Sequence, residues 1–260
     1  MARAFAGERE ADRYERLRMP RRRSWLVTPA NDLEAMKRSL ACAADVVVID
    51  LEYSVAPKAK VTARSGLQNL VRELGPATCE LFVRIDRDAR WADARASVVR
   101  GVKGIVFPGP ENAGEVVEID ALITAAEKER GIELGTTEIV LMLESAQGFW
   151  NIGSLAQASA RVTAVAVGRI DLSMQLGPVP QDEFRLCRYL MTRTLVAART
   201  FGKQALGAHW RPGSRGGVAD ARHTARAARE ARLMGFEGCL CATLDQVVPV
   251  NAGFAPAESM

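Results

Sequence analysis

Two carboxylates, Glu144 and Asp171, hold equivalent places in this sequence. Glu138-Ile139-Val140-Leu141-Met142-Leu143 leads directly to Glu144, and Val162-Thr163-Ala164-Val165-Ala166-Val167 leads through Gly168-Arg169-Ile170 to Asp171. Runs that are short, aliphatic and apolar without alternation form strands buried on both faces. A polar Ser145-Ala146-Gln147-Gly148 and a helical segment separate them, so the unit is β-α-β. Each strand then delivers one carboxylate at its C-terminal end, where ligands collect in parallel α/β proteins. Carboxylates set side by side repel each other, and a divalent cation relieves that repulsion. An all-oxygen site with room for water suits Mg²⁺ or Mn²⁺ better than zinc. Solvated loop residues or helix N-caps would account for the same two positions.

The other strand ends add a short polar inventory: Asp50 and Glu52, Arg84 and Asp86, His209, and Ala242-Thr243. Arg84 is placed either to hold a carboxylate or enolate oxygen bidentately or to form a structural salt bridge with Asp50 or Glu52. Gly168 either brings backbone N–H groups close to a ligand carboxylate or makes a tight strand-to-helix turn. His223 falls within an Arg/Ala-rich helix and reads as a surface residue, and His209 as a loop hydrogen-bonding group. There is no Gly-x-Ser-x-Gly elbow, no Gly-x-Gly-x-x-Gly and no P-loop, which removes serine-hydrolase and nucleotide-cofactor readings.

The elements that must position these residues alternate along the chain. Strands are expected at Ser24–Thr28 (stopped by Pro29), Asp45–Asp50, Cys79–Ile85, Ile105–Phe107, Glu138–Leu143, Val162–Val167, Gln204–Gly207 and Glu237–Cys241. Between them lie a helix capped by Asn31 with Leu33, Met36 and Leu40 on one face, one after Pro57, and others over Trp91–Arg100, Glu111–Arg130, Gln181–Phe201 and Ala219–Met234. A last short helix begins at Leu244 and is expected to end at Pro249. Eight β-α pairs without a composition break predict a (β/α)8 TIM barrel over residues 23–260 as a single domain, preceded by a polar N-terminal arm over residues 1–22. The Arg21-Arg22-Arg23 run reads as a solvated patch.

The totals set bounds. The chain has 260 residues, 48% hydrophobic and 25% charged, in the range of soluble globular proteins. A net charge of +4, partly in the arm, does not call for nucleic acid. No apolar run reaches the ~20 residues of a membrane span, and the N-terminus lacks the apolar region of a secretory signal. Five cysteines, an odd number scattered through apolar segments, read as reduced thiols in the cytoplasm. Cys239 and Cys241 share a strand face but lack the partners of a metal site.

Several segments together carry a family resemblance. Arg23-Ser24-Trp25-Leu26-Val27-Thr28-Pro29-Ala30-Asn31 resembles the opening of the citrate lyase β-subunit-like family. Val48-Ile49-Asp50-Leu51-Glu52 with Val55-Ala56-Pro57, Val83-Arg84-Ile85, Leu143-Glu144-Ser145 with Gly148, Gly168-Arg169-Ile170-Asp171-Leu172, and Val250-Asn251 with Phe254 and Pro256 resemble its later motifs, in order. The resemblance implies a TIM barrel, Mg²⁺ on Glu144 and Asp171, and catalytic parts for Arg84 and Glu52. It also implies substrate contacts from Arg23, Arg84, Asp50, Gly168, Arg169 and Ile170. The implied activity is carbon–carbon bond cleavage or formation on hydroxyacyl-CoA thioesters with a 2-oxo acid as the other fragment, in a homotrimer or homohexamer. The alternatives are an aldolase acting on free hydroxy acids and a catalytically weakened binding subunit. Three departures bear on this choice: Tyr53 stands where the family usually has a second acid, Gly109 where it commonly has Lys, and Gly238 to Leu244 replaces its strand-eight motif.

Overall fold

A computed structural model describes residues 22–177, 183–208 and 220–255. Its strands are β1 (Ser24–Pro29), β2 (Val46–Asp50), β3 (Glu80–Arg84), β4 (Val102–Pro108), β5 (Glu138–Leu143), β6 (Val162–Val167), β7 (Gln204–Leu206) and β8 (Cys239–Cys241). Each pairs in parallel with its neighbours in chain order, and β1 also pairs with β8. The seam between β7 and β8 is short, held by the Leu206–Gly238 bridge and by Gly207 N donating to Gly238 O at 2.8 Å. The expected (β/α)8 barrel is therefore the fold.

Alternation along the strands sorts the apolar residues into two layers. Trp25, Val46, Val48, Phe82, Val106 and Val140 belong to the cluster that fills the barrel interior, whereas Leu26, Val47, Ile49 and Val83 join the cluster packed against helices. Every residue of β2 is buried, as a two-sided strand requires. Phe82 and Trp25 meet in the interior with ring centroids 4.8 Å apart. Fully burying a side chain of the Phe class contributes roughly 1.5–3 kcal/mol over leaving it exposed, so this layer makes a packed core and not a pore.

The helices are α1 (Leu33–Leu40), α2 (Lys60–Leu74), α3 (Arg90–Ser97), α4 (Ala113–Arg130), α5 (Ala146–Trp150), α6 (Ile152–Gln157), α7 (Arg169–Leu176), α8 (Glu183–Thr200), α9 (Ala221–Met234) and α10 (Val247–Gly253). Two expectations need correcting. Asp32, not Asn31, caps α1, its Oδ1 accepting from Ala35 N at 2.8 Å. Pro249 does not stop the last helix but lies in the first turn of α10, where its missing N–H would have had no intrahelical acceptor. No helix among the described residues is long and apolar enough to cross a membrane.

Buried charges brace the strands from below. Arg22, expected in a solvated arm, is 1% exposed at the barrel floor. Its guanidinium bridges Glu80 at the start of β3 (Nη2 to Oε1, 3.0 Å) and Glu138 at the start of β5 (Nη1 to Oε2, 2.6 Å). Trp25 Nε1 and Gln204 Nε2 donate to its carbonyl at 3.1 and 3.0 Å. A cation this deep persists because it is paired on two sides. Beside the floor, Glu127 of α4 accepts from Arg161 Nη1 at 2.9 Å, and from Thr137 N and Gly135 N at 2.9 Å each. That cluster ties α4 to the entries of β5 and β6, whose far ends carry Glu144 and Asp171. The rest of the arm expected over residues 1–22, residues 1–21, lies outside the described residues.

Candidate active site

The top of β2 is organised around one carboxylate. Asp50 is fully buried and accepts from Glu52 N and Ser54 N, each at 2.8 Å, and from the Ser54 hydroxyl. Arg84, its register partner on β3, closes a two-point fork on it: Nε to Oδ1 and Nη2 to Oδ2, both 2.7 Å. Burial pushes the Asp50 carboxyl up, but these donors outweigh it and hold it below the usual carboxylate range. The structural alternative for Arg84 is thus realised, and Asp50, expected at the substrate, spends its oxygens on the protein. The fork uses Nε and Nη2 and leaves Nη1 outside it. The guanidinium lies 5.1 Å from the centroid of the Tyr53 ring.

The tops of β5 and β6 supply the acids. Glu144 follows β5 and is 3% exposed. Gly168 follows β6 with its N–H on Leu143 O at 2.8 Å, and a Cβ there would overlap Glu144 Cγ. That overlap explains the glycine: no larger residue leaves Glu144 its place. Gly168 also opens α7, whose first turn carries Asp171. Asp171 Oδ1 accepts from the Tyr53 hydroxyl at 2.9 Å, so the residue standing for the missing acid acts as a donor. Glu144 Oε2 accepts from Arg87 Nη2, a residue to which sequence reasoning gave no role.

Charge and burial are in conflict here. Burial pushes the Glu144 carboxyl up to about 7; Arg87 opposes this and Asp171 adds to it. Burial, then Glu144, pushes Glu52 up to about 8. Glu52 Oε2 is buried without a hydrogen-bond partner among the described residues. Tyr53 is likewise pushed up by burial of its hydroxyl and by Glu144, so it remains a donor. A divalent cation fits this donor set: oxygens only, mutually repelling, with one orphaned oxygen nearby. Among the described residues no three His, Cys, Asp or Glu side chains group around one point. Two carboxylates would therefore be the protein's share, and water or a ligand the rest.

Both acids line one cavity of about 340 Å³ at the C-terminal mouth of the barrel, with Tyr53, Arg84, Gly168, Arg169 and Ile170 on its polar wall. Val27, Met142 and Leu240 make its apolar floor. A larger cavity, about 660 Å³, opens near the strand entries between Val71, Cys79, Val99 and Ile132. It holds no carboxylate, so size does not locate the chemistry. Arg23 is not brought to the mouth: it precedes β1 at the opposite end and forks onto Asp45 at 2.8 and 2.9 Å. Its expected substrate contact is corrected on that ground. His223 is exposed on α9 beside Asp220, and His209 lies outside the described residues.

Comparison with known proteins finds relatives over most of the chain. Residues 23–243 match the family model described as HpcH/HpaI aldolase/citrate lyase. The chain is 29% identical to citrate lyase subunit beta of Leuconostoc mesenteroides subsp. cremoris over 91% of its own length and 78% of that protein. It is 31% identical to the L-malyl-CoA/beta-methylmalyl-CoA lyase of Cereibacter sphaeroides over 60% of its length and 50% of that protein. It also superposes on the crystal structure of protein CitE from Mycobacterium tuberculosis in complex with magnesium and acetoacetate, with a TM-score of 0.70 and 25% identity, covering 92% of this chain and 94% of that one.

Proposed function

Because the chain belongs to the HpcH/HpaI aldolase/citrate lyase family, we propose that it is an aldolase-type carbon–carbon lyase. Its substrate is a hydroxyacyl-CoA thioester of the citryl-, malyl- or citramalyl-CoA kind, and its products are a 2-oxo acid and an acyl-CoA. The observation that carries this reading is the delivery of Glu144 and Asp171 by successive strands to one cavity at the barrel mouth. Its similarity to a citrate lyase subunit and a malyl-CoA lyase supports the substrate class.

Glu144 and Asp171 would hold Mg²⁺ or Mn²⁺, which supplies Lewis acidity and a template for the 2-oxo-acid end. Gly168 opens α7 at the cavity, and the N–H groups of Arg169, Ile170 and Asp171 in its first turn are offered to a carboxylate. Arg84 adds its Nη1 edge, held in place by the fork on Asp50. Cleavage requires a proton to leave the substrate hydroxyl as the carbon–carbon bond breaks, its electron pair passing to the acyl fragment as an enolate. Glu52 would exchange that proton, a role supported by its buried Oε2, which has no hydrogen-bond partner among the described residues and lies 3.7 Å from Arg84 Nε. Val27, Met142 and Leu240 exclude water from beneath the reacting carbons.

The five cysteines form no disulfide with one another, which supports a cytoplasmic setting. Family likeness and exposed apolar side chains such as Trp150 and Met174 support a homotrimer or homohexamer, which light scattering would test. The reaction is tested by incubating the protein and Mg²⁺ with hydroxyacyl-CoA thioesters and the corresponding free hydroxy acids, and measuring the 2-oxo acid released. Release from a thioester, abolished in Glu144→Gln, is expected. Release from free acids alone would replace this reading with a CoA-independent aldolase, and no release from any would replace it with a binding role.

A further inference from the structure

Arg87 occupies the position of a counter-ion. It starts the turn after β3, half-buried, with Nη2 on Glu144 Oε2. Its Nε is buried, has no hydrogen-bond partner among the described residues, and lies 3.9 Å from Glu52 Oε1. The guanidinium rests on Gly109, where an added Cβ would meet Arg87 Cζ and Nε at 3.2 Å and Nη2 at 3.4 Å. Gly109 has φ +56, a backbone shape that already disfavours any side chain. A glycine just after β4 thus leaves room for an arginine just after β3 to reach the carboxylate that follows β5.

We infer that Arg87 is a built-in cation that competes with the divalent metal for Glu144 and so keeps the affinity of this site low. The inference rests on the metal reading of Glu144 and Asp171 above. Glu144 cannot lend its full charge to two cations at once, and a guanidinium on one of its oxygens repels an ion approaching the other. Glu52 and Glu144 can therefore persist side by side without metal, and metal entry has to displace or crowd Arg87. Arg87 differs from Arg84 in this respect, since the Arg84 fork is spent on Asp50 while Arg87 bonds Glu144 directly.

Calorimetric titration with Mn²⁺ alone, on wild type, Arg87→Gln, Arg87→Lys and Glu144→Gln, tests this. Arg87→Gln is expected to bind about ten- to a hundredfold tighter than wild type, the equivalent of one charge-assisted contact. Arg87→Lys, which keeps the charge, should stay within about threefold of wild type. Equal or weaker binding in Arg87→Gln, with binding still lost in Glu144→Gln, would overturn the competition and leave the metal site standing. Binding indifferent to Glu144→Gln, or absent throughout, would overturn the metal reading and the inference with it.

Discussion

Replacing Arg84 by Met keeps the length of the side chain but removes the fork from Asp50. Asp50 is fully buried and Arg84 nearly so, and losing one partner of such a pair costs about 3–5 kcal/mol because a charge is left uncompensated. Glu52 N, Ser54 N and the Ser54 hydroxyl still donate to Asp50, so the lower end, about 3 kcal/mol, applies. For a chain of this size 1 kcal/mol moves the melting temperature by roughly 2–4 °C, which gives a fall of about 6–12 °C. The pH dependence carries a sign. In the wild type the Asp50 carboxyl lies below its ordinary range, so its stabilisation is present above the unfolded-state pKa and fades as pH falls through the folded one. Without Arg84, burial acts against fewer donors, the carboxyl takes up a proton at higher pH, and the deficit shrinks as the solution is acidified. Denaturant unfolding of both proteins at pH 7 and pH 4.5 measures this. A deficit below about 1 kcal/mol, or one of equal size at both pH values, would refute the claim that this ion pair organises the top of β2.

Arg22→Met should lower stability by about 3–5 kcal/mol in thermal unfolding, because Glu80 and Glu138 lose their shared partner at the floor; Mn²⁺ affinity at the far end should not change. Gly168→Ala should displace Glu144, since the new methyl overlaps its Cγ. It should abolish Mn²⁺ binding in calorimetry at a stability cost of about 1–3 kcal/mol. Burial pushes Glu127 up, but Arg161 and the Thr137 and Gly135 amides hold it down at about 2, against an ordinary 4.5. About 3 kcal/mol of stability should therefore be present above pH 4.5 and drain away between there and pH 2; acid titrations of Glu127→Gln should lack that loss.

The parts of the fold legible in the sequence were those written in local patterns. The strands at Glu138–Leu143 and Val162–Val167 fall where their uninterrupted apolar runs end, and the placing of Glu144 and Asp171 at one mouth follows from two such strands being neighbours. What could not be read depends on partners far apart in the chain. Arg22 looked like one of three solvated arginines because Glu80 and Glu138 stand 58 and 116 positions away. Arg87 was passed over for Arg84 because nothing local shows which of two nearby arginines reaches across to β5. Gly109 was noted as a departure and Arg87 was not noted at all; only their closeness in space joins them. Arg23 failed for a simpler reason: a residue just before a strand lies at the wrong end of a parallel barrel.

The seam has a consequence for how the protein is made. β1 is synthesised early, yet its second neighbour, β8, is among the last elements, and Arg22 O waits for Gln204, 182 positions later. Until residues 238–241 emerge from the ribosome, β1 offers the Arg23 carbonyl, which Cys239 N will occupy, along an apolar, unpaired edge. An edge of that kind is a template for a strand from another chain. Three residues of β8 therefore do more than complete a ring: they withdraw the nascent sheet from its own aggregation pathway, and a stalled or truncated chain ending before them would carry that hazard undiminished.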